Sequence, residues 1–188
     1  ANYNIGDDVK AGDILFTIDS PDLLQAESTL LASAGVLELQ KRTLARALNL
    51  LKAGGTAGDA AAAAALTLAV TLPSSASLHA GGVCLIYDAT AKTAHGLTFD
   101  GPLATARAAR TIHGVLGALP WARAVAPAAT LARFGVAVSP VRAGRLTHAD
   151  VLLGDAAALS VFMSPRRQLL AAGEMLRQPA LADTLDRL

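Results

Sequence analysis

A leucine returns at every seventh position from Leu23 to Leu51, through Leu30, Leu37 and Leu44, with Ala26, Ala34, Ala47 and Leu48 on neighbouring positions. Heptad spacing sustained over that length predicts one helix carrying a coiled-coil seam. Ser20-Pro21-Asp22 starts it: the serine is a cap, the proline fits the first helical position, and the aspartate faces the positive end of the helix dipole. A helix over Pro21 to Lys52 would be about 48 Å long at about 1.5 Å per residue. Gly35 is its weak position, costing about 1 kcal/mol against alanine. Ahead of it the period is two. Within IGDDVKAGDILFTID (residues 5–19), Val9, Ile14, Phe16 and Ile18 form one apolar set and Asp13, Thr17 and Asp19 the polar one. That alternation between Gly-Asp turns predicts a small β-hairpin or half-barrel.

The pattern changes at Ala53. Gly54 and Gly55 suit the end of the long helix, because they take left-handed backbone angles without a Cβ penalty. Thr56 and Asp59 then supply acceptors and negative charge for the unpaired N–H groups of the next helix. Six alanines from Ala60, followed by Leu66, Leu68, Val70 and Leu72, give that helix little side-chain bulk, so its neighbours can approach closely. Pro73 and the serines after it make a loop, and Gly81-Gly82 lets the backbone pass near another element. Val83 to Tyr87 and Gly96 to Phe99 read as strands joined by a polar turn, Asp88 to Thr93. Helices are expected over Ala104 to Gly117, Val125 to Phe134, Asp150 to Phe162 and Pro179 to Leu188. Leu119-Pro120-Trp121 ends the first of these and starts another helix, ahead of the further one over Val125 to Phe134, and Trp121 is expected to plug the core with one hydrogen bond.

Composition narrows the picture further. The chain has 188 residues, enough for one ordinary domain or two small ones, and 53% of them are apolar while only 4% are aromatic. The core should therefore be built from closely packed small side chains. A formal charge of +1, with the arginines scattered, removes the electrostatic case for nucleic acid. Cys84 is the sole cysteine, which excludes an intrachain disulfide; between Val83 and Leu85 it is expected to be a buried, inert thiol. The opening ANYNIGDD shows no basic signal-peptide region. The longest apolar run, Ala60 to Leu72, is shorter than the roughly 20 residues a membrane span needs. His79, His95, His113 and His148 have no metal-ligand spacing, and no phosphate loop or nucleophile elbow appears, so neither metal nor cofactor is expected.

Gly-Gly-Thr-Ala-Gly-Asp-Ala-Ala from Gly54, the apolar helix, Pro73, and Gly81-Gly82 leading into VCLIYD resemble the N-terminal part of the gamma-glutamyltransferase (glutathione hydrolase) large chain. The likeness continues in LPWARAVAPAATLARFGVAVS (Leu119 to Ser139) and AAGEMLRQPALADTLDRL (Ala171 to Leu188), and so covers residues 53–188. Gly54, Gly55, Asp59, Gly81, Gly82 and Trp121 are its motif positions, read as structural. The resemblance implies a piece of an N-terminal-nucleophile (Ntn) hydrolase αββα sandwich acting on gamma-glutamyl peptides. It also implies that the catalytic threonine begins a small chain released by self-cleavage, and this sequence stops short of it. An internal threonine lacks the free amine that serves as its base, and none of Thr56, Thr67, Thr98, Thr105 or Thr184 stands in the family's Thr-Thr-His context. Where the family places an arginine for the substrate α-carboxylate, this chain reads Phe99-Asp100-Gly101-Pro102. Arg107 and Arg110 are near enough to substitute, or are surface arginines. No residue is therefore assigned a catalytic role, and the chain alone is expected to be inactive.

Residues 1–52 resemble a different family, the periplasmic adaptor (membrane fusion) proteins of tripartite efflux pumps. The resemblance makes residues 1–20 a lipoyl-like β half-motif and residues 21–52 the ascending arm of a helical hairpin that docks on the efflux channel. Lys10 is not in the setting of a modifiable hairpin-tip lysine and reads as a solvated turn residue. No heptad return helix or second half-motif follows, so the two family fragments meet at Ala53-Gly54-Gly55. The expected fold is α+β and mostly helical, in segments 1–20, 21–52 and 53–188. The alternative function is that of an adaptor fragment, an interaction module and not an enzyme. The expected partners are the missing small chain, an efflux channel, or a second copy through Leu23, Leu30, Leu37, Leu44 and Leu51. Both families point to the periplasm.

Overall fold

Small side chains set the spacing of this molecule. The computed structural model describes residues 8, 10, 20–73, 75–89, 91–146 and 154–188. The expected half-motif over residues 1–20 therefore lies outside the described residues, apart from Asp8, Lys10 and Ser20, the first two of which are exposed.

Helix α1 runs from Pro21 to Lys52, as the heptads and the Ser20 cap predict. Ser20 Oγ accepts a hydrogen bond from Leu23 N at 3.4 Å. Every described side chain from Pro21 to Arg42 is exposed, whereas Leu50 enters the core. The helix is thus an arm anchored by its last turns. Helix α2, Ala57–Thr71, turns back from it and packs against α1, against α3 (Ala104–Leu116) and against α4 (Trp121–Phe134). In the main core, ten of the sixteen buried members among the described residues are alanines, including Ala62, Ala69, Ala109, Ala128 and Ala132. Alanine-lined faces let helix axes approach to the short end of the usual 8–10 Å range. α4 begins at Trp121, where Leu119-Pro120-Trp121 is expected to start a helix, and runs on through Pro127, so that helix and the further one expected from Val125 are one.

Between α2 and α3 the strands β1 (Gly82–Asp88) and β2 (Thr93–Phe99) form an antiparallel hairpin, with Gly82 opposite Phe99 and Asp88 opposite Thr93. Alternation sends Val83, Leu85 and Tyr87 to an open face, the first two 75% and 76% exposed. Cys84 and Ile86 face the other way, toward the side where β2 meets α3. Cys84 is half-buried, and the expectation of a buried thiol is corrected: its apolar neighbours in sequence point away from it because a strand alternates sides.

Beyond α4, β3 (Val136–Ala137) pairs with β4 (Met175–Leu176). They bracket α5 (Pro140–Leu146) and α6 (Ala156–Phe162), and a second small core gathers Val138, Leu170 and Leu176. The helix expected from Asp150 starts at Ala156 among the described residues, because Asp155 caps it by accepting from Ala157 N at 2.7 Å; residues 150–153 lie outside the described residues. The last helix, α7 (Pro179–Leu185), packs on α4. At its entry Gln178 donates from N to Ala132 O at 2.8 Å and from Nε2 to Val70 O at 3.1 Å, joining α7 to α4 and α2. No described helix is long and apolar enough to cross a membrane.

Candidate functional site

The motif residues divide between two places. The first is the start of α2. Gly54 has φ +87°, a left-handed conformation in which a glycine is favoured, and Gly55 N donates to Leu50 O at 2.9 Å. Thr56 then caps α2 in a reciprocal capping box: Thr56 N donates to Asp59 Oδ2 at 2.7 Å and Asp59 N to Thr56 Oγ1 at 3.3 Å. The Thr56 hydroxyl has one proton and two acceptors, Leu116 O at 2.5 Å and Asp59 Oδ2 at 3.0 Å, and serves one at a time.

Asp59 does more than cap. It is fully buried, and it also accepts from Ala118 N at 3.0 Å and Leu119 N at 3.3 Å, the backbone that joins α3 to α4. Burial alone would push its carboxyl up. The N–H groups of Ala118 and Thr56, the Thr56 hydroxyl and Leu119 N–H outweigh that and hold it below the ordinary carboxylate value. His113 closes the arrangement, its Nε2 lying 3.2 Å from Asp59 Oδ1 and 2.9 Å from Leu119 O. Both neighbours only accept, so Nε2 carries the hydrogen. Local spacing gave no sign of this partnership, because the two residues belong to different helices that meet only after folding.

Trp121 opens α4 beside this hub. Its ring meets His113 edge-on at 5.0 Å between centroids, and the Arg110 guanidinium lies 5.0 Å from its centre. The expected single hydrogen bond is not made: Trp121 Nε1 is buried without a partner. The indole is held by ring contacts instead.

The second place is the base of the hairpin. A Cβ on Gly82 would meet the Phe99 ring at 2.9 Å, and one on Gly81 would lie 3.0 Å from Asp100 Oδ1. These glycines let the strand entry lie against residues 99–100. Asp100 is exposed and turns its Oδ1 onto Gly101 N at 2.7 Å. Arg107 reaches back from α3 and donates from Nη2 to Asp100 O at 2.7 Å. Arg107 and Arg110 are both exposed, and with Thr111 and Trp121 they line a cleft of about 350 Å³.

The hydroxyls of Thr105 and Thr184 donate to Ala80 O at 2.7 Å and Ala180 O at 2.9 Å, Thr67 is buried in α2, and Thr98 lies on β2. His79 and His95 are exposed, and His148 lies outside the described residues. No group of three metal-ligating side chains is found among the described residues.

Comparison with known proteins accounts for this layout. The profile of the gamma-glutamyltranspeptidase family matches residues 45–111 and 103–188, most of the chain. The chain belongs to the gamma-glutamyltranspeptidase family. The match begins at residue 45 and not at residue 53, so it takes in the last turns of α1, where Leu50 enters the core. The chain is 29% identical over 171 residues to the glutathione hydrolase proenzyme of Pseudomonas aeruginosa, covering 76% of this chain and 30% of that protein. It shares its fold with the gamma-glutamyltranspeptidase of Helicobacter pylori, at a TM-score of 0.72 and 22% identity over 77% of this chain and 50% of that one. The transpeptidase CapD of Bacillus anthracis superposes at a TM-score of 0.66 with 27% identity, over 77% of this chain and 53% of that one. The chain thus spans less than a third of that curated relative and about half of these solved chains, within an α+β Ntn-hydrolase fold. Nothing in these matches extends the adaptor resemblance to residues 1–44.

Proposed function

We propose that this chain is the large-chain portion of a gamma-glutamyltransferase, a scaffold for gamma-glutamyl peptide metabolism that neither hydrolyses nor transfers by itself. One observation carries the reading. At the position where the family resemblance calls for a carboxylate-gripping arginine there is Asp100, and the guanidinium that reaches this corner, Arg107, is engaged with the Asp100 carbonyl. A carboxylate there repels the substrate's own carboxylate. The engaged hydroxyls of Thr56, Thr105 and Thr184 support the same conclusion, since a nucleophile needs its hydroxyl free and a base beside it. The purified chain, incubated with a chromogenic gamma-glutamyl anilide, is expected to release no product above a heat-killed control; release above it overturns the reading. The proposed compartment is the periplasm, and fractionation that leaves the native protein with cytoplasmic markers would overturn that placement.

A second reading rests on the uncovered leucines of α1: residues 21–52 act as an interaction arm, similar to the adaptor arms that dock on an efflux channel. It is favoured by exposure of Leu23, Leu30, Leu37, Leu44 and Leu51 along one helix.

A further inference from the structure

The arm carries a second pattern that the leucine repeat does not require. Along α1 the three acids Asp22, Glu27 and Glu38 all precede residue 39, and the four bases Lys41, Arg42, Arg46 and Lys52 all follow it. Of these charges, Glu38 and Arg42 are paired with each other at 3.1 Å. The leucines lie on the same helix, Leu30 being 70% exposed.

We propose that α1 pairs with α1 of a second copy of this chain in antiparallel orientation, the acidic half of each arm lying against the basic half of the other. The proposal rests on the interaction-arm reading and adds the occupant and its direction. One register satisfies both patterns. Setting Leu23 level with Leu44 of the second copy also sets Leu30 level with Leu37, and the two-fold axis repeats both contacts. Glu27 then comes within one residue, about 1.5 Å along the axis, of the second copy's Lys41, and each stands four residues beyond a seam leucine, Leu23 and Leu37, on the seam side of its helix. Parallel pairing would instead set base against base and acid against acid at each level, which is destabilising.

The shape of the molecule agrees. The core joins α1 only through its final turns, where the described contacts are with α2 and α5. An overlap from Leu23 to Leu44 ends before Leu50 enters that core. Antiparallel arms carry the two bodies to opposite ends of the pair, whereas parallel arms bring them to the same end.

Sedimentation of the full chain at low and moderate salt, with a distance measurement, tests this. The unaltered protein is expected to be a dimer that weakens as salt rises, and Leu30→Glu with Leu37→Glu to leave a monomer of unchanged helix content. Glu27→Lys should weaken dimerisation about five-fold at low salt, since its contact with Lys41 is reversed twice by symmetry. A spin label at Gln25→Cys in a Cys84→Ser background should report about 27 Å across an antiparallel pair, from 17 residues of axial offset, against about 10 Å for a parallel one. A monomer in the unaltered protein overturns the proposal and leaves the arm reading only a partner other than a second copy. A dimer that survives the leucine changes uses another surface and overturns the proposal too. A leucine-dependent dimer with the short distance, or one indifferent to Glu27→Lys, keeps the arm and overturns its antiparallel direction.

Discussion

The arm from Pro21 to Arg42 and the body from α2 to α7 are both helical, yet they are held by different forces. In the arm every described side chain is exposed, so its order rests on its cap, its side-chain propensities and local pairs such as Glu38–Arg42. An isolated helix of that kind is marginal, because nucleation is costly and propagation adds little per residue. In the body, helices of still smaller side chains are fixed by burial and by the Asp59 hub, which ties two helix ends and a linker into one polar cluster. Bulk sits outside this molecule, on the arm and the open hairpin face, and smallness inside. A helix of alanines contributes little apolar area per residue, so close approach and fully satisfied polar groups carry more of the stability.

The comparison breaks most sharply at Asp59. Asp59→Ala takes the acceptor from the part-buried N–H groups of Thr56, Ala118 and Leu119 and should destabilise the body by about 2–3 kcal/mol. Urea unfolding followed by Trp121 fluorescence reads it, since the lone tryptophan lies in the body. Acid supplies the matching control. Because the folded carboxyl titrates below its ordinary value, its contribution is present above about pH 4 and is lost as pH falls through the folded value. The steep loss of stability below pH 4 should therefore be shallower in Asp59→Asn.

Next in size is overpacking. Ala128→Leu, at a fully buried position of α4, should cost about 2 kcal/mol. Ala34→Leu on the exposed arm should stay within about 0.5 kcal/mol. Equal effects in thermal melts of the two variants would erase the distinction between arm and body. The smallest effect belongs to the junction. Around Gly54 an added Cβ meets nothing within 4 Å, so Gly54→Ala isolates the backbone penalty of a φ of +87°, about 1 kcal/mol; calorimetry showing no change would mean that the turn between arm and body relaxes freely.

Much of this was legible in the residues. Heptads and Ser20-Pro21 set the limits of α1, the glycine pair and Thr56 marked the start of α2, and the hairpin followed from two short apolar runs around a polar turn. These are local devices, in which a side chain acts on backbone within a few residues of itself. The sequence also announced an alanine core, since a chain so poor in aromatic residues has little else to bury.

Tertiary structure decided the rest. That Asp59 is a hub as well as a cap depends on Leu116 to Leu119 arriving from 60 residues away, and the same arrival makes His113 its partner. That Cys84 is half-buried while Val83 and Leu85 are open depends on which side of the hairpin faces α3, which alternation in a strand leaves undecided. That Arg107 spends its guanidinium on Asp100 depends on the turn at residues 100–103 folding α3 back toward the hairpin. In each case local chemistry specifies what a group can bond to, and only the packed chain specifies what reaches it.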